Sequence, residues 1–140
     1  MPLRFVHPVQ RATHRIGLYL GELREQQLTQ GEAHILALLA ESSPATVTDL
    51  HRGLAHRRST LTSILDRLAD RGLITRNVGK SDRRTFVIDL TTKGRKLARR
   101  VKRHLTALEN RVRGRVNQND ISGFSKVLSA LESEAGNRRD

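Results

Sequence analysis

Between Arg57 and Leu90 the chain gathers the side chains best suited to grip a polyanion. Arg57, Arg58, Ser59, Thr60, Thr62, Ser63 and Arg67 fall in a segment whose apolar residues, Leu61, Ile64, Leu65 and Leu68, share one helical face. Short hydroxyl side chains on the opposite face let a helix backbone approach base edges while still bonding phosphates. An arginine in the first turn is long enough to bond guanine in a bidentate way. A turn-rich stretch follows, Val78 to Arg84, carrying Lys80, Asp82, Arg83 and Arg84. A loop arginine suits a narrow, A·T-rich minor groove, where negative potential is deepest. Asp82 beside a phosphate backbone is repulsive unless paired, so it either holds a neighbouring cation or turns the chain after Ser81. The chemistry here is recognition of charge and base edges in duplex DNA rather than bond making.

The remaining reactive residue types do not assemble into a catalytic or metal site. His7, His14, His34, His51, His56 and His104 contain no pair at i,i+3 or i,i+4 spacing, so packed or helix-flanking histidines are expected and no metal or other cofactor. Glu22, Glu25 and Glu32 sit at solvating helix positions with no nucleophile and no glycine-rich phosphate loop, so no enzyme is expected. Cysteine is absent, which excludes disulfides and thiol switches.

Composition agrees with a nucleic-acid partner. The 140 residues carry 26 Lys and Arg against 14 Asp and Glu, a formal charge of +12, well beyond what solubility needs. Aromatic residues are only 3% of the chain, too few for the stacking platforms that single-strand and RNA binders use, which favours duplex DNA. No apolar run approaches the ~20 residues of a membrane span, and the N-terminus lacks a signal-like apolar block, so a cytoplasmic protein is expected.

The elements that must position these residues are legible from periodicity. A first helix is expected over Val9 to Leu28, with Ile16, Leu20 and Leu23 on one stripe. Thr29 and Glu32 have the spacing of a capping box that opens a second helix, ended by Glu41 to Pro44. Thr46 caps a short third helix through Ala55, and a break at His56-Arg57 leads into the fourth, closed by Gly72. Helices three and four form a helix-turn-helix. Strands over Ile74 to Asn77 and Thr85 to Leu90 flank the basic loop as a wing. Thr91 or Thr92 caps a long fifth helix whose stripe runs from Leu97 to Val116. A break over Asn117 to Asp120 precedes a last helix marked by Ile121, Phe124, Val127, Leu128 and Leu131. The final Arg138-Arg139-Asp140 is expected to fray. The fold class is mainly α with a small β-hairpin wing. One protomer of residues 1–140 divides into a winged helix-turn-helix over 29–91 and a helical dimerisation subdomain from 5–28 and 92–136. The fifth helix cannot hide its stripe on the winged part alone, so a two-fold homodimer is expected over a closed intramolecular bundle.

These elements, in this order, resemble the MarR family of winged-helix transcription regulators over nearly the whole chain. The resemblance is carried by L-T-Q-G-E-A-H-I-L at Leu28 to Leu36, S-T-L-T-S-I-L-D-R-L-A-D-R-G-L-I-T-R at Ser59 to Arg76, and D-R-R-T-F-V-I-D-L-T-T-K-G at Asp82 to Gly94. It implies that the fourth helix enters the major groove, with Arg58, Ser59, Thr60, Thr62 and Ser63 at base- and phosphate-contacting positions. It also implies that Arg84 reaches the minor groove braced by Asp82, while Arg83 meets phosphate. A palindromic operator follows, with repression as the simplest outcome of occupancy. The family's cysteine sensor is missing. Its zinc-sensing members use histidines near the second and fifth helices, where His34 and His104 lie, but no partner ligands accompany them. Family members often bind small aromatic acids between the dimer helices and the winged domain. His14, Arg15 and Tyr19 are the candidate wall of such a pocket for an aromatic or anionic effector, with ordinary packing as the plainer reading. Two rival classes are a protein-binding winged helix, disfavoured by the polar outer face, and a basic protein that binds DNA without sequence preference.

Overall fold

Thr29 and Thr46 begin two helices by the same device. The Thr29 hydroxyl accepts from the Glu32 N–H at 3.1 Å while the Glu32 carboxylate accepts from the Thr29 N–H at 3.3 Å. Thr46 and Asp49 repeat the exchange at 3.0 and 3.2 Å. Each box satisfies backbone donors that a helix start leaves orphaned. In the computed structural model, which describes residues 2–23 and 27–136, the order is α1 (Val6–Leu20), α2 (Gln30–Glu41), β1 (Ala45–Thr46), α3 (Val47–Leu54), α4 (Arg58–Asp70), β2 (Ile74–Val78), β3 (Phe86–Leu90), α5 (Thr92–Arg113) and α6 (Gln118–Gly136). The class is the expected one: mostly helical, with a small antiparallel sheet.

Several boundaries differ from the sequence expectation, each for a local reason. Helix α1 starts earlier, at Val6, because Pro8 falls in its first turn, where a missing N–H costs nothing. It ends at Leu20 rather than Leu28. Gly21 follows, and the N–H groups of Glu22 and Leu23 bond three residues back, to Tyr19 and Leu20, the tightening of a terminating helix. Residues 24–26 of the expected helix, Glu25 among them, lie outside the described residues, as does the Arg138 to Asp140 tail. Helix α5 stops at Arg113, beside Gly114, not at Val116. The expected break at Asn117 to Asp120 is instead the start of α6. Asn117 and Asp120 cap it reciprocally, each side chain accepting from the other's backbone N–H at 2.9 Å.

Sequence periodicity missed one strand. The two-residue β1 pairs antiparallel with β3, Ala45 opposite Ile88, giving a sheet of order β1-β3-β2. Two residues carry too short a period to be read as a strand. The wing hairpin is in the expected place, with Ile74 opposite Leu90 and Val78 opposite Phe86.

The chain divides into two compact units, Ile16–Leu105 and Met1–Arg15 with Thr106–Asp140. The first holds the core. Ile35, Leu36 and Leu39 of α2, Leu61 and Leu68 of α4, Leu73, Ile88 of β3 and Val101 of α5 are essentially fully buried. Gly94 lets the start of α5 close on the segment after α4, since a side chain there would overlap the Leu73 carbonyl oxygen. In the second unit the apolar side chains stay open: Val112 is 50% and Phe124 63% exposed, and α6 has no buried residue.

Candidate nucleic-acid interface

Helix α4 follows from an ordinary balance of local rules. Its inner face, Leu61, Ile64, Leu65 and Leu68, is buried, which turns Ser59, Thr62, Ser63 and Asp66 outward. Ala55 takes the left-handed conformation (φ 55°) that closes α3 and lets the chain turn through His56 into α4. At the far end Gly72, at φ 72°, supplies the left-handed closing residue, and the Leu73 N–H reaches back to the Leu68 carbonyl at 3.0 Å.

The expected reading residues all lie on the surface of the first unit. Arg57, Arg58, Ser59, Thr60, Thr62, Ser63 and Arg67 are exposed on α4 or its cap, and Lys80, Asp82, Arg83 and Arg84 are exposed in the wing loop. Arg57 is the N-cap residue, yet no side chain caps this helix, so its first N–H groups remain available to an anion. Arg57, Arg58, Lys80, Arg83 and Arg84 make no side-chain hydrogen bond or ion pair among the described residues. Ser63 is the exception to availability, because its hydroxyl donates to the Ser59 carbonyl at 3.1 Å.

In the wing, Asp82 acts as a turn former. Its carboxylate accepts from the Arg84 backbone N–H at 3.0 Å, and the Asp82 carbonyl accepts from the Thr85 N–H and hydroxyl at 3.2 and 2.8 Å. The expected brace on the Arg84 guanidinium is not made. A backbone donor two residues on is the nearest partner a short carboxylate can reach, so it wins over a long, freely rotating side chain. The buried Gly79 completes the loop: its N–H donates to the Thr85 carbonyl at 2.8 Å, and a side chain there would press on Thr85 and Asp82.

Three ion pairs that sequence reading did not find set where α4 sits. Glu32, expected at a solvating position, is 3% exposed. Besides capping α2 it accepts from Arg71 at 3.1 Å and faces Arg67 Nε at 3.8 Å, fastening the C-terminal half of α4 to the start of α2. Arg67 is thus partly committed inward, although its side chain is 51% exposed. On the outer surface Arg76 of β2 pairs with Asp66 of α4 at 2.5 Å, joining the wing to the helix. The helical heptad of α4 placed Asp66 outward, but its partner is ten residues away on a strand, a pairing with no sequence period.

The remaining titratable groups have local roles. Tyr19 and His104 stack with ring centroids 3.8 Å apart and planes 6° from parallel. The Tyr19 hydroxyl donates to the His104 carbonyl at 2.7 Å, and His104 Nε2 lies 2.9 Å from the Tyr19 carbonyl, which only accepts, so the proton is on Nε2. This joins α1 to α5 within the first unit. His14 and Arg15 are exposed and belong to the other unit, and a concavity of about 480 Å³ there is lined by Arg113, Val116, Asn117, Gln118 and Ile121 instead. Partial burial, then the neighbouring His56, pushes the His34 pKa below its ordinary value. The Thr46 hydroxyl and backbone N–H hold the Asp49 carboxyl below the usual carboxylate range. Among the described residues no three His, Cys, Asp or Glu side chains gather as a metal site, and no helix is long and apolar enough to cross a membrane.

Comparison with known proteins places this geometry. The profile of the MarR family matches residues 28–86. A helix-turn-helix-type transcriptional regulator of Bacillus subtilis is 33% identical over 78 residues, covering 56% of this chain and 55% of that protein. A transcriptional repressor of the same type from Mycobacterium tuberculosis is 28% identical over 107 residues, 76% of this chain and 77% of that protein. The chain thus spans little more than half of the first relative's length. Among solved structures, S. aureus MepR in its DNA-binding conformation superposes with a TM-score of 0.83 over 95% of this chain and 99% of that one, at 21% identity. PcaV of Streptomyces coelicolor with its natural ligand gives 0.77 over 94% of each chain, at 17% identity. At these identities the structural likeness concerns the fold.

Proposed function

We propose that the chain, whose residues 28–86 match the MarR family profile, is a winged helix-turn-helix, DNA-binding transcriptional regulator of that family, and a sequence-specific repressor that binds a palindromic operator as a homodimer. The observation that carries this reading is the exposed set on α4 and the wing: hydroxyls on the outer face of a helix, flanked by five cations with no partner among the described residues, Arg57, Arg58, Lys80, Arg83 and Arg84. The N-terminal half of α4 enters the major groove, where Arg58 bonds guanine and Ser59, Thr60 and Thr62 meet bases and phosphates. Arg84 inserts into the adjoining minor groove, while Lys80, Arg83 and Arg57 contact phosphate. Asp82 serves by fixing the loop backbone under Arg84, and Arg67 at the edge of the helix reaches phosphate only by loosening its hold on Glu32.

The open apolar residues at the chain ends support a second copy of this chain as partner. Phe5, Val6, Val112, Phe124 and Val127 are all at least 44% exposed, more apolar surface than a lone protomer keeps without a use. A dimer through residues 5–28 and 92–136 sets two reading helices about 34 Å apart, one turn of DNA. A small aromatic or anionic effector releases the operator by preferring a different helix separation. The solved complex of PcaV with its natural ligand supports such an effector.

Selection from random duplexes tests the reading in one step. An enriched palindrome with half-sites one turn apart is expected; absence of any enriched motif leaves only a non-specific DNA binder. On the selected operator, Arg58→Ala relaxes preference at one half-site position, a loss of about 1–3 kcal/mol in discrimination. Arg84→Ala weakens binding to A·T-flanked sites. Two variants that bind and discriminate like the parent would remove these roles.

A further inference from the structure

Arg57, Arg58, Lys80, Arg83 and Arg84 are not the only cations without a partner among the described residues. No acidic residue occurs between Asp89 and Glu109, a stretch that holds Lys93, Arg95, Lys96, Arg99, Arg100, Lys102 and Arg103. Some of these have internal work. Lys93 Nζ donates to the Arg71 carbonyl at 3.2 Å, Arg95 to the Leu90 carbonyl at 3.4 Å, and Lys102 pairs with Glu41. Lys96, Arg99 and Arg103 do not: all three are exposed and make no hydrogen bond or ion pair among the described residues.

Their spacing is i, i+3, i+7, which puts them within an arc of about 60° on α5 and about 10.5 Å apart along its axis. Three successive steps of one DNA strand advance about 10 Å, at ~3.4 Å each. The arrangement costs the free helix something, since like charges four residues apart (Arg95 with Arg99, Lys96 with Arg100, Arg99 with Arg103) repel. A row of phosphates reverses the sign of that term.

The helix that carries the row begins away from the N-terminal end of α4. Helix α5 starts at the C-terminal end of α4, where the Thr91 hydroxyl donates to the Gly72 carbonyl at 2.6 Å. Arg57 and Arg58 lie at the other end of α4, about 20 Å away for its 13 residues. A membrane-surface helix needs an apolar face to sink into the lipid, and the apolar face of this part of α5, Leu97, Ala98 and Val101, is buried in the protein core. No Phe, Tyr or Trp lies on α5 to stack single-stranded bases, and the His104 ring is already stacked on Tyr19. Duplex phosphate is the remaining fit.

We propose that Lys96, Arg99 and Arg103 form a second phosphodiester-binding surface, which holds a segment of duplex DNA other than the one read by α4 and the wing. The regulator thereby tethers its operator to neighbouring DNA. Only the operator half of this statement rests on the reading given above.

The full chain, saturated with unlabelled selected operator, is titrated into a fluorescent duplex of unrelated sequence and followed by anisotropy. The parent captures the second duplex, and the triple variant Lys96→Gln, Arg99→Gln, Arg103→Gln loses capture at least tenfold, with operator affinity within about threefold of the parent. For capture, the slope of log K against log salt falls by about 2.7 for three lost phosphates, at ~0.9 each. A charge-keeping variant, Lys96→Arg with Arg99→Lys and Arg103→Lys, retains capture, which separates lost charge from lost structure. Failure of the operator-bound parent to take up the second duplex overturns the proposal, as does equal capture by the triple Gln variant. Row-dependent binding to phosphatidylglycerol vesicles without capture of the duplex overturns it in favour of a membrane. Row-dependent capture by a protein that selects no operator sinks the regulator reading alone.

Discussion

At its N-terminal end α4 offers Arg57, Arg58, Ser59, Thr60 and Thr62 to solvent, uncapped by any side chain. At its C-terminal end the same helix is fastened three ways. Arg71 and Arg67 reach the buried Glu32 carboxylate, Asp66 holds Arg76 of the wing, and Gly72 hands the chain to a fully buried Leu73 that closes on Gly94. On the proposed function, the contrast lets one 13-residue helix serve two demands. A reading end must keep its donors unspent until a partner arrives, because a donor already paired inside the protein gains little on binding. It must also be held still, because misplacement or ordering on contact subtracts from affinity. On the proposed reading the C-terminal end supplies the stillness through Arg71, Asp66 and Gly72, none of which is assigned a DNA contact.

The contrast makes distinct demands on mutants, and the largest effect belongs to the fastened end. Gly94→Ala forces a methyl group against the Leu73 carbonyl oxygen, and a stability loss of about 3 kcal/mol or more is expected in urea unfolding. Next comes Glu32→Ala, which removes a cap and breaks the ion pair with Arg71, for a loss of about 3 kcal/mol. Glu32→Gln keeps the capping geometry and removes only the charge, so it loses less; a Gln variant as stable as the parent would mean that the ion pair contributes nothing. Both Glu32 variants weaken operator binding uniformly across sequences. Arg58→Ala does the reverse, changing preference while stability stays within about 0.5 kcal/mol of the parent. A Glu32 variant with altered base preference and unaltered stability would erase the distinction between the two ends.

A smaller effect is expected where the fastened end meets the wing. A double-mutant cycle on Asp66→Asn and Arg76→Gln should give a coupling of about 0.2–1 kcal/mol, shrinking with salt, as for exposed ion pairs generally. The smallest is a pH effect at His34. Its pKa is lower in the folded state, so the folded protein binds fewer protons than the unfolded chain. The contribution to stability is present above the ordinary value of 6.5 and is lost as pH falls through the lowered folded pKa. Unfolding midpoints measured from pH 7 downward should show this slope, and His34→Gln should flatten it.

Much of the fastening was invisible in the chain's periodicity, whereas much of the reading end was visible. The outward hydroxyls of α4 follow from the inward leucines by helical geometry, and the wing loop follows from its turn residues between alternating strands. The same local reasoning found the Thr29 and Thr46 caps. It placed Glu32 in solvent because a capping glutamate ordinarily lies there, and nothing near it in sequence announces Arg71, 39 residues on. Asp82 shows the limit from the other side: its Asx-type bond to the Arg84 backbone is local and legible, while the expected brace on the guanidinium depended on resemblance. Helix α1 was drawn too long because its apolar stripe continues to Leu23 and Leu28, past the point where Gly21 and the tightened turn end the helix.

By itself the sequence determined the order of helices and wing, the polar face of α4, the caps that start α2 and α3, and a charge that calls for a polyanion. Those properties depend on residues within a few positions of one another, or on composition alone. Only the tertiary structure decided which charges are spent and which stay free: Arg71 and Arg76 in ion pairs, Arg58, Arg84 and the Lys96, Arg99 and Arg103 row in solvent. A charge is neutralised by whatever lies within a few ångströms, and that neighbour is chosen by packing between distant segments, which no local spacing encodes.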